Sequence, residues 1–153
     1  QIKQLSKEGK LTPELKTYLF AADRRLLLDG LGQVSKDDIV IFDRYVPSAI
    51  AYRMADGVDK NWVKSVNKNF PRHDLGFYID ITPETSIKRN TDQKFNILYS
   101  YEHLDRVRKA YMSILDEYSL QKIDGNNSID NIFKQIATRI NHRLSEREEE
   151  MER

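Results

Sequence analysis

Short apolar runs of strand length alternate with amphipathic helical patterns along this chain, and that alternation constrains the fold more than any other feature. Residues 38–45 read DIVIFDRY, with Ile39, Val40, Ile41 and Phe42 unbroken. A continuous apolar run of this length predicts a strand buried on both faces, as in a parallel sheet. LGFYIDIT at 75–82 predicts a second strand, and LQKID at 120–124 a third. Helical patterns fill the intervals. Thr12-Pro13-Glu14 combines a capping side chain, a proline suited to the first helical position and an acid at the positive end of the dipole. Leu15, Leu19, Ala22 and Leu26 follow at helical spacing and Gly30 is a stop, so a helix is predicted over 13–29. Further helical patterns lie at 59–69, from 83 to 89, from Leu104 through Val107, Tyr111 and Ile114 to Tyr118, and from Ile129 through Ile132, Ile136 and Ile140 to Leu144. Strands alternating with helices predict an α/β fold with a parallel sheet.

The 153 residues fit one domain, predicted over 1–144, followed by a charged tail at 145–153 that reads as a solvated helix end or a disordered segment. Charged residues make up 32% of the chain but sum to a net charge of +1, and the basic ones are scattered. This balance gives no electrostatic reason to expect a nucleic-acid partner. No apolar run approaches the roughly 20 residues that span a bilayer, so no membrane partner is expected. The absence of cysteine excludes disulfides and thiolate metal sites and fits a reducing compartment. Residues 1–10 have no apolar stretch of the kind a signal peptide needs.

In open α/β sheets ligands gather at the carboxyl ends of the strands, which is where Asp43-Arg44-Tyr45 falls. A carboxylate there can hold hydrated Mg²⁺ near phosphates, and an adjacent arginine is a planar, bidentate phosphate clamp. Taken alone, the dipeptide reads equally as an ion pair closing a strand. Phe20 and Arg24 are four apart and share a helix face. They could stack on a nucleobase and meet its acceptor edge, or serve simply as core and surface. Tyr45, Ser48 and Tyr52 follow at spacings of three and four, and a helix starting near Pro47 would put Ser48 and Tyr52 on one face near Arg44. His73, His103 and His142 are widely separated and read as structural or surface residues.

The joint pattern resembles the thymidylate kinases. LFAADR at 19–24 is followed about twenty residues later by DRYVPSAIAY at 43–52, then by FYIDITPETSIKR at 77–89, LDRVRKAYMSIL at 104–115 and KIDGNNSIDNI at 122–132. The resemblance implies a P-loop kinase-like three-layer fold, with sheet order 2-3-1-4-5 and DIVIFDRY and LGFYIDIT as strands 3 and 4. It implies a cytoplasmic, homodimeric enzyme that phosphorylates dTMP with ATP and Mg²⁺. By position, Phe20 would stack on thymine and Arg24 would bond its carbonyl edge. Arg44 would bind and align the dTMP phosphate, and Asp43 would act near Mg²⁺ through water. Tyr45 and Ser48 would belong to the monophosphate pocket, and Tyr52 would crowd the sugar 2′ position. Arg89 would pack near ATP, with Gly125 and Asn126 bordering the adenine. Lys94, the sole basic residue between Arg89 and His103, falls on the same cofactor side.

The sequence departs from the family's pattern in two respects. It contains no GxxxxGK[ST] loop, the element that supplies amides, a lysine and a hydroxyl to ATP and Mg²⁺. The expectation is a chain whose N-terminal P-loop segment and first strand lie outside these residues, so that strands 3 and 4 would each face an unpaired edge. After Arg89, NTDQKFNILYSYEH is short and poor in arginine, which leaves Arg106 and Arg108 either facing the transferred phosphoryl group or pairing with Glu102 and Asp105. Two other readings stand beside the kinase: a nucleotide-binding or scaffold protein without activity that keeps the thymidine pocket, and a deoxynucleoside kinase.

Overall fold

In the computed structural model, which describes residues 11–32, 34–35, 38–90 and 100–152, the first helix starts where the sequence places its cap. Thr12 stays extended and its Oγ1 accepts from Leu15 N at 3.2 Å, with Pro13 opening helix α1 (Pro13–Gly30). The chain forms two compact units that divide after Pro71.

In the first unit, α1, α2 (Val46–Ala55) and α3 (Lys60–Asn67) pack against one another. Asp59 caps α3 by accepting from Trp62 N at 2.8 Å. The core is drawn mainly from α2, whose Val46, Ile50, Ala51 and Ala55 are buried, with Val63 of α3 fully enclosed. Tyr18 and Trp62 meet edge to face at 5.4 Å between centroids.

One sequence expectation fails here. The DIVIFDRY run is irregular rather than a strand, and its Ile39, Val40 and Ile41 are exposed, Ile41 by 85%, while Phe42 is half-buried against Tyr45. A strand exists only through ladder hydrogen bonds to a neighbour. Among the described residues no segment pairs with 38–42, so the β propensity of Ile-Val-Ile has nothing to act on.

The second unit is the α/β part. Strand β1 (Gly76–Asp80) pairs in parallel with β2 (Leu120–Asp124), in a register running from Gly76 opposite Leu120 to Asp80 opposite Asp124. Parallel neighbours require a crossover, supplied by α4 (Pro83–Arg89) and α5 (Tyr101–Met112). Thr82 and Ser100 cap these helices through their hydroxyls. The expected long helix through Tyr118 ends at Met112. Residues 113–119 continue as turns, closed by Ser119 in a left-handed conformation at φ 51°. The chain must reverse there to enter β2, and Ile114, fully buried, anchors the turn.

Helix α6 (Ile129–Glu152) closes the unit, and the charged tail continues it as regular helix. No described helix is long and apolar enough to cross a membrane. The core beneath the sheet gathers Tyr78, Val107, Ala110, Ile114 and Ile123, with the Tyr78 and Tyr111 rings stacked at 4.6 Å. Ile123 has no exposed surface. Ile123→Val should therefore cost about 0.5–1.5 kcal/mol, read as a lower urea midpoint at unchanged slope.

Candidate functional site

The turn that aims the candidate phosphate ligand is held in an uncommon backbone conformation. Arg44 has φ 67°, the left-handed region, and Tyr45 follows as an extended N-cap with no side-chain bond to the helix. Pro47 then lies in the first turn of α2, where a missing N–H costs nothing. A helix N-terminus offers unpaired amides and the positive end of the dipole. Here a guanidinium precedes it directly. The Arg44 guanidinium lies over the Tyr52 ring at 5.0 Å, one helix segment further on. Ser48 is buried in the first turn of the same helix. Asp43 is exposed. Among the described residues no cluster of three or more acidic, histidine or cysteine side chains gathers to cage a metal.

Arg24 projects from α1 into a prepared setting. Its Nη1 donates to Asn67 Oδ1 at 2.6 Å, and its guanidinium lies over the Tyr45 ring at 5.4 Å and the Phe70 ring at 5.0 Å. Burial pulls the pKa of Arg24 below its ordinary value, offset in part by Tyr45 and Asp23. Burial pushes the Tyr45 phenol up, with Arg24 opposing it. Phe20, one turn earlier on α1, is 57% exposed and presents its ring outward. Arg24 thus meets Tyr45, although α1 and the turn before α2 are some twenty residues apart in sequence, and the neighbouring Arg44 meets Tyr52. Arg53 was not singled out by sequence. It is buried in α2 and paired with Asp56 at 3.0 Å, and its Nη1 has no hydrogen-bond partner.

The second unit carries the other candidate residues. Arg89, the last residue of α4, donates from Nη1 to Gly125 O at 2.7 Å and from Nη2 to Asn126 O and Asn127 O at 3.2 and 3.3 Å. Asp124 stiffens the same loop: Asn126 N and Nδ2 donate to its Oδ1 at 3.0 and 2.8 Å, which holds its carboxyl below the usual range. Gly125 is required by close approach, because a Cβ there would meet Ile79 Cγ2 at 2.7 Å and Asp80 O at 2.9 Å. Arg89, Gly125 and Asn126, grouped by the resemblance, are in direct contact. Lys94 lies outside the described residues.

Arg108 pairs with neither Glu102 nor Asp105. Its Nε and Nη2 donate to the two carboxylate oxygens of Asp80 at 2.6 and 2.9 Å, at the carboxyl end of β1. Lys122 Nζ stands 3.7 Å from Asp80, and the Tyr78 hydroxyl donates to it at 3.3 Å. The Arg108 hydrogen bonds hold the Asp80 carboxyl below its ordinary value. Burial pushes the Tyr78 phenol up, reinforced by Asp80. Asp105 pairs instead with Lys109 at 2.6 Å. His73 is structural: its Nε2 is 2.9 Å from Tyr118 O.

Sequence reasoning missed Asn67, Phe70 and Asp80. Nothing in their spacing marks them, since each meets its partner only through tertiary packing.

The Thymidylate kinase family profile matches residues 1–136. Over 143 residues the chain is 35% identical to "Probable thymidylate kinase 1" of Saccharolobus solfataricus, covering 94% of this chain and 76% of that protein. It is 35% identical to "Probable thymidylate kinase" of Sulfurisphaera tokodaii, covering 87% and 70% respectively. It is 33% identical to "Thymidylate kinase" of Acholeplasma laidlawii, covering 91% and 74%. With one family profile spanning most of its length, and archaeal and bacterial relatives agreeing along the same stretch, this chain belongs to the thymidylate kinase family.

Proposed function

We propose that this protein transfers the γ-phosphoryl group of ATP to dTMP, giving dTDP and ADP, with the monophosphate side built on α1 and α2. Membership of the thymidylate kinase family supports the reaction. The observation that carries the residue assignment is the Arg24 guanidinium resting over Tyr45, the residue next to Arg44. It links the candidate base reader to the candidate phosphate clamp.

In this reading the exposed Phe20 ring stacks on thymine, and the donors of Arg24 left over from Asn67 meet the carbonyl edge. Arg44, Ser48 and the N-terminal amides of α2 take the phosphate. Tyr45 packs beneath Arg24, and Tyr52 lines the sugar side under Arg44. Phosphoryl transfer needs in-line positioning and neutralised oxygens more than covalent help. The acceptor is already an anion near neutrality, since the second pKa of a phosphate monoester is about 6. No strong base is needed, and the dispersed histidines raise no difficulty.

Asp43 would hold Mg²⁺ through water. When bound with ATP, Mg²⁺ supplies charge neutralisation on the phosphate oxygens. On the ATP side, Arg89 fixes the 125–127 carbonyls and offers the exposed face of its guanidinium to adenine, with Gly125 and Asn126 as the rim. Lys94 remains assigned to this side by resemblance.

The test is acceptor choice, measured on the natural gene product that contains these residues. With ATP and Mg²⁺, dTMP should be turned over and thymidine should not. Preference for thymidine would make the protein a deoxynucleoside kinase, and dTMP binding without turnover would make it a binding protein.

A further inference from the structure

Asn67 is the last residue of α3 and is only 3% exposed. Its amide is fixed at both ends. Nδ2 donates to Val63 O at 2.8 Å, one helical turn back, and Oδ1 accepts from Arg24 Nη1 at 2.6 Å, across 43 residues of sequence. The first bond decides which way the amide points, because only the oxygen is then free to face the guanidinium. The rings of Tyr45 and Phe70 confine the same guanidinium from other directions.

An arginine side chain has large rotamer entropy, so an unsupported guanidinium must be ordered by its ligand. A supported one is ordered already, and binding is stronger by what is saved. The choice of amide over carboxylate matters as well. A carboxylate would neutralise Arg24 and compete for its donors. A neutral oxygen takes one N–H and leaves the charge and the remaining donors for a carbonyl ligand.

We propose that Asn67 is a positioning residue for base recognition: it holds Arg24 in the orientation that meets the carbonyl edge of the pyrimidine, and so sets discrimination against bases that carry an amine at that edge. This rests on the reading of Arg24 as the base contact. The amide acts only through Arg24, so its effect falls on substrate affinity and base choice, not on the chemical step.

The test uses the natural gene product and compares Asn67→Leu, Asn67→Ala and Asn67→Asp with Arg24→Ala. Asn67→Leu fills similar volume without an acceptor. It should raise the KM for dTMP about tenfold, lower the preference for dTMP over dCMP by a similar factor, and leave kcat within about twofold. Asn67→Asp retains an oxygen toward Arg24 but neutralises it, so its KM for dTMP should stay as high as that of Asn67→Leu. Asn67→Ala should behave as Asn67→Leu does, which keeps the comparison decisive if the leucine variant does not fold. Unchanged KM and base preference in both Asn67→Leu and Asn67→Ala would overturn the proposal. So would an Asn67→Asp variant with native KM and base preference, since the neutrality of the acceptor would then be immaterial. If Arg24→Ala itself leaves KM and base preference untouched, the base-contact reading fails and the proposal falls with it. Loss in Arg24→Ala without loss in the Asn67 variants overturns the positioning role alone.

Discussion

Arg44→Ala and Arg44→Gly should abolish activity alike and yet differ in stability, with the glycine variant the more stable. The guanidinium stands before the N-terminus of α2 and over Tyr52, and the proposed function gives it the dTMP phosphate. Charge-assisted, bidentate contacts of that kind place the loss of kcat/KM for dTMP at about 10²–10³-fold, on the order of 3–4 kcal/mol of transition-state stabilisation. Stability follows the backbone instead. At φ 67° a side chain with a Cβ is strained by about 1–2 kcal/mol, and glycine is not. Alanine keeps the strain and loses the contact with Tyr52. Glycine loses the same contact and relieves the strain, less about 0.5–1 kcal/mol of extra unfolded-state entropy. Glycine should therefore exceed alanine by up to about 1.5 kcal/mol in denaturant unfolding, with both equally impaired. An active Arg44→Ala would remove the phosphate assignment. An alanine variant more stable than the glycine one would show that the turn does not hold Arg44 in the left-handed region.

Asp80→Asn should destabilise the second unit by about 2–3 kcal/mol near neutral pH. Asp80 is buried and receives two hydrogen bonds from Arg108, with Lys122 nearby. Removing one partner of a buried pair costs about 3–5 kcal/mol, but Arg108 is partly exposed and water screens what it loses, so the lower figure applies. The pH dependence has a definite sign. The Arg108 hydrogen bonds depress the Asp80 carboxyl in the folded state below its ordinary value of 3.8. Its contribution is therefore complete above that ordinary value and is lost as pH falls through the lower folded one. The gap between the native protein and Asp80→Asn should be flat from about pH 7 to 5 and narrow below about pH 4. Urea unfolding at several pH values reads it. A gap that persists undiminished in acid would mean that packing, not ionisation, carries the stabilisation. The backbone carbonyl of Asp80, unchanged in this variant, accepts from Gly125 N at 2.7 Å in the loop that Arg89 holds.

The start of α1 was legible in the sequence because its physics is local: Thr12 caps within three residues of itself, so a short window contains the whole interaction. Asp59, Thr82 and Ser100 cap in the same way, although the sequence pattern for α5 was read only from Leu104. LGFYIDIT and LQKID were legible as strands and find each other as parallel neighbours. DIVIFDRY has the more strand-like composition and is not a strand in the described structure. Composition records a preference for extended backbone, but pairing requires a partner that no window of eight residues contains. The long α5 pattern misled for a related reason. Ile114 and Tyr118 keep helical spacing, while the reversal at Ser119 into β2 is set by the sheet.

For the site, residue type and helical periodicity fixed only which side chains share a face; it was the resemblance of LFAADR and DRYVPSAIAY to the thymidylate kinases that nominated Phe20, Arg24, Arg44 and Tyr52. What each arginine does in the folded chain was decided by tertiary structure alone. Arg24 is held by Asn67 and confined by Phe70, Arg89 closes on the carbonyls of the 125–127 loop, and Arg108 turns from its helical neighbours to Asp80. A guanidinium has five donors and a long flexible stem. Its partner is whichever acceptor packing brings within reach, and distance in the folded molecule is not written in distance along the chain.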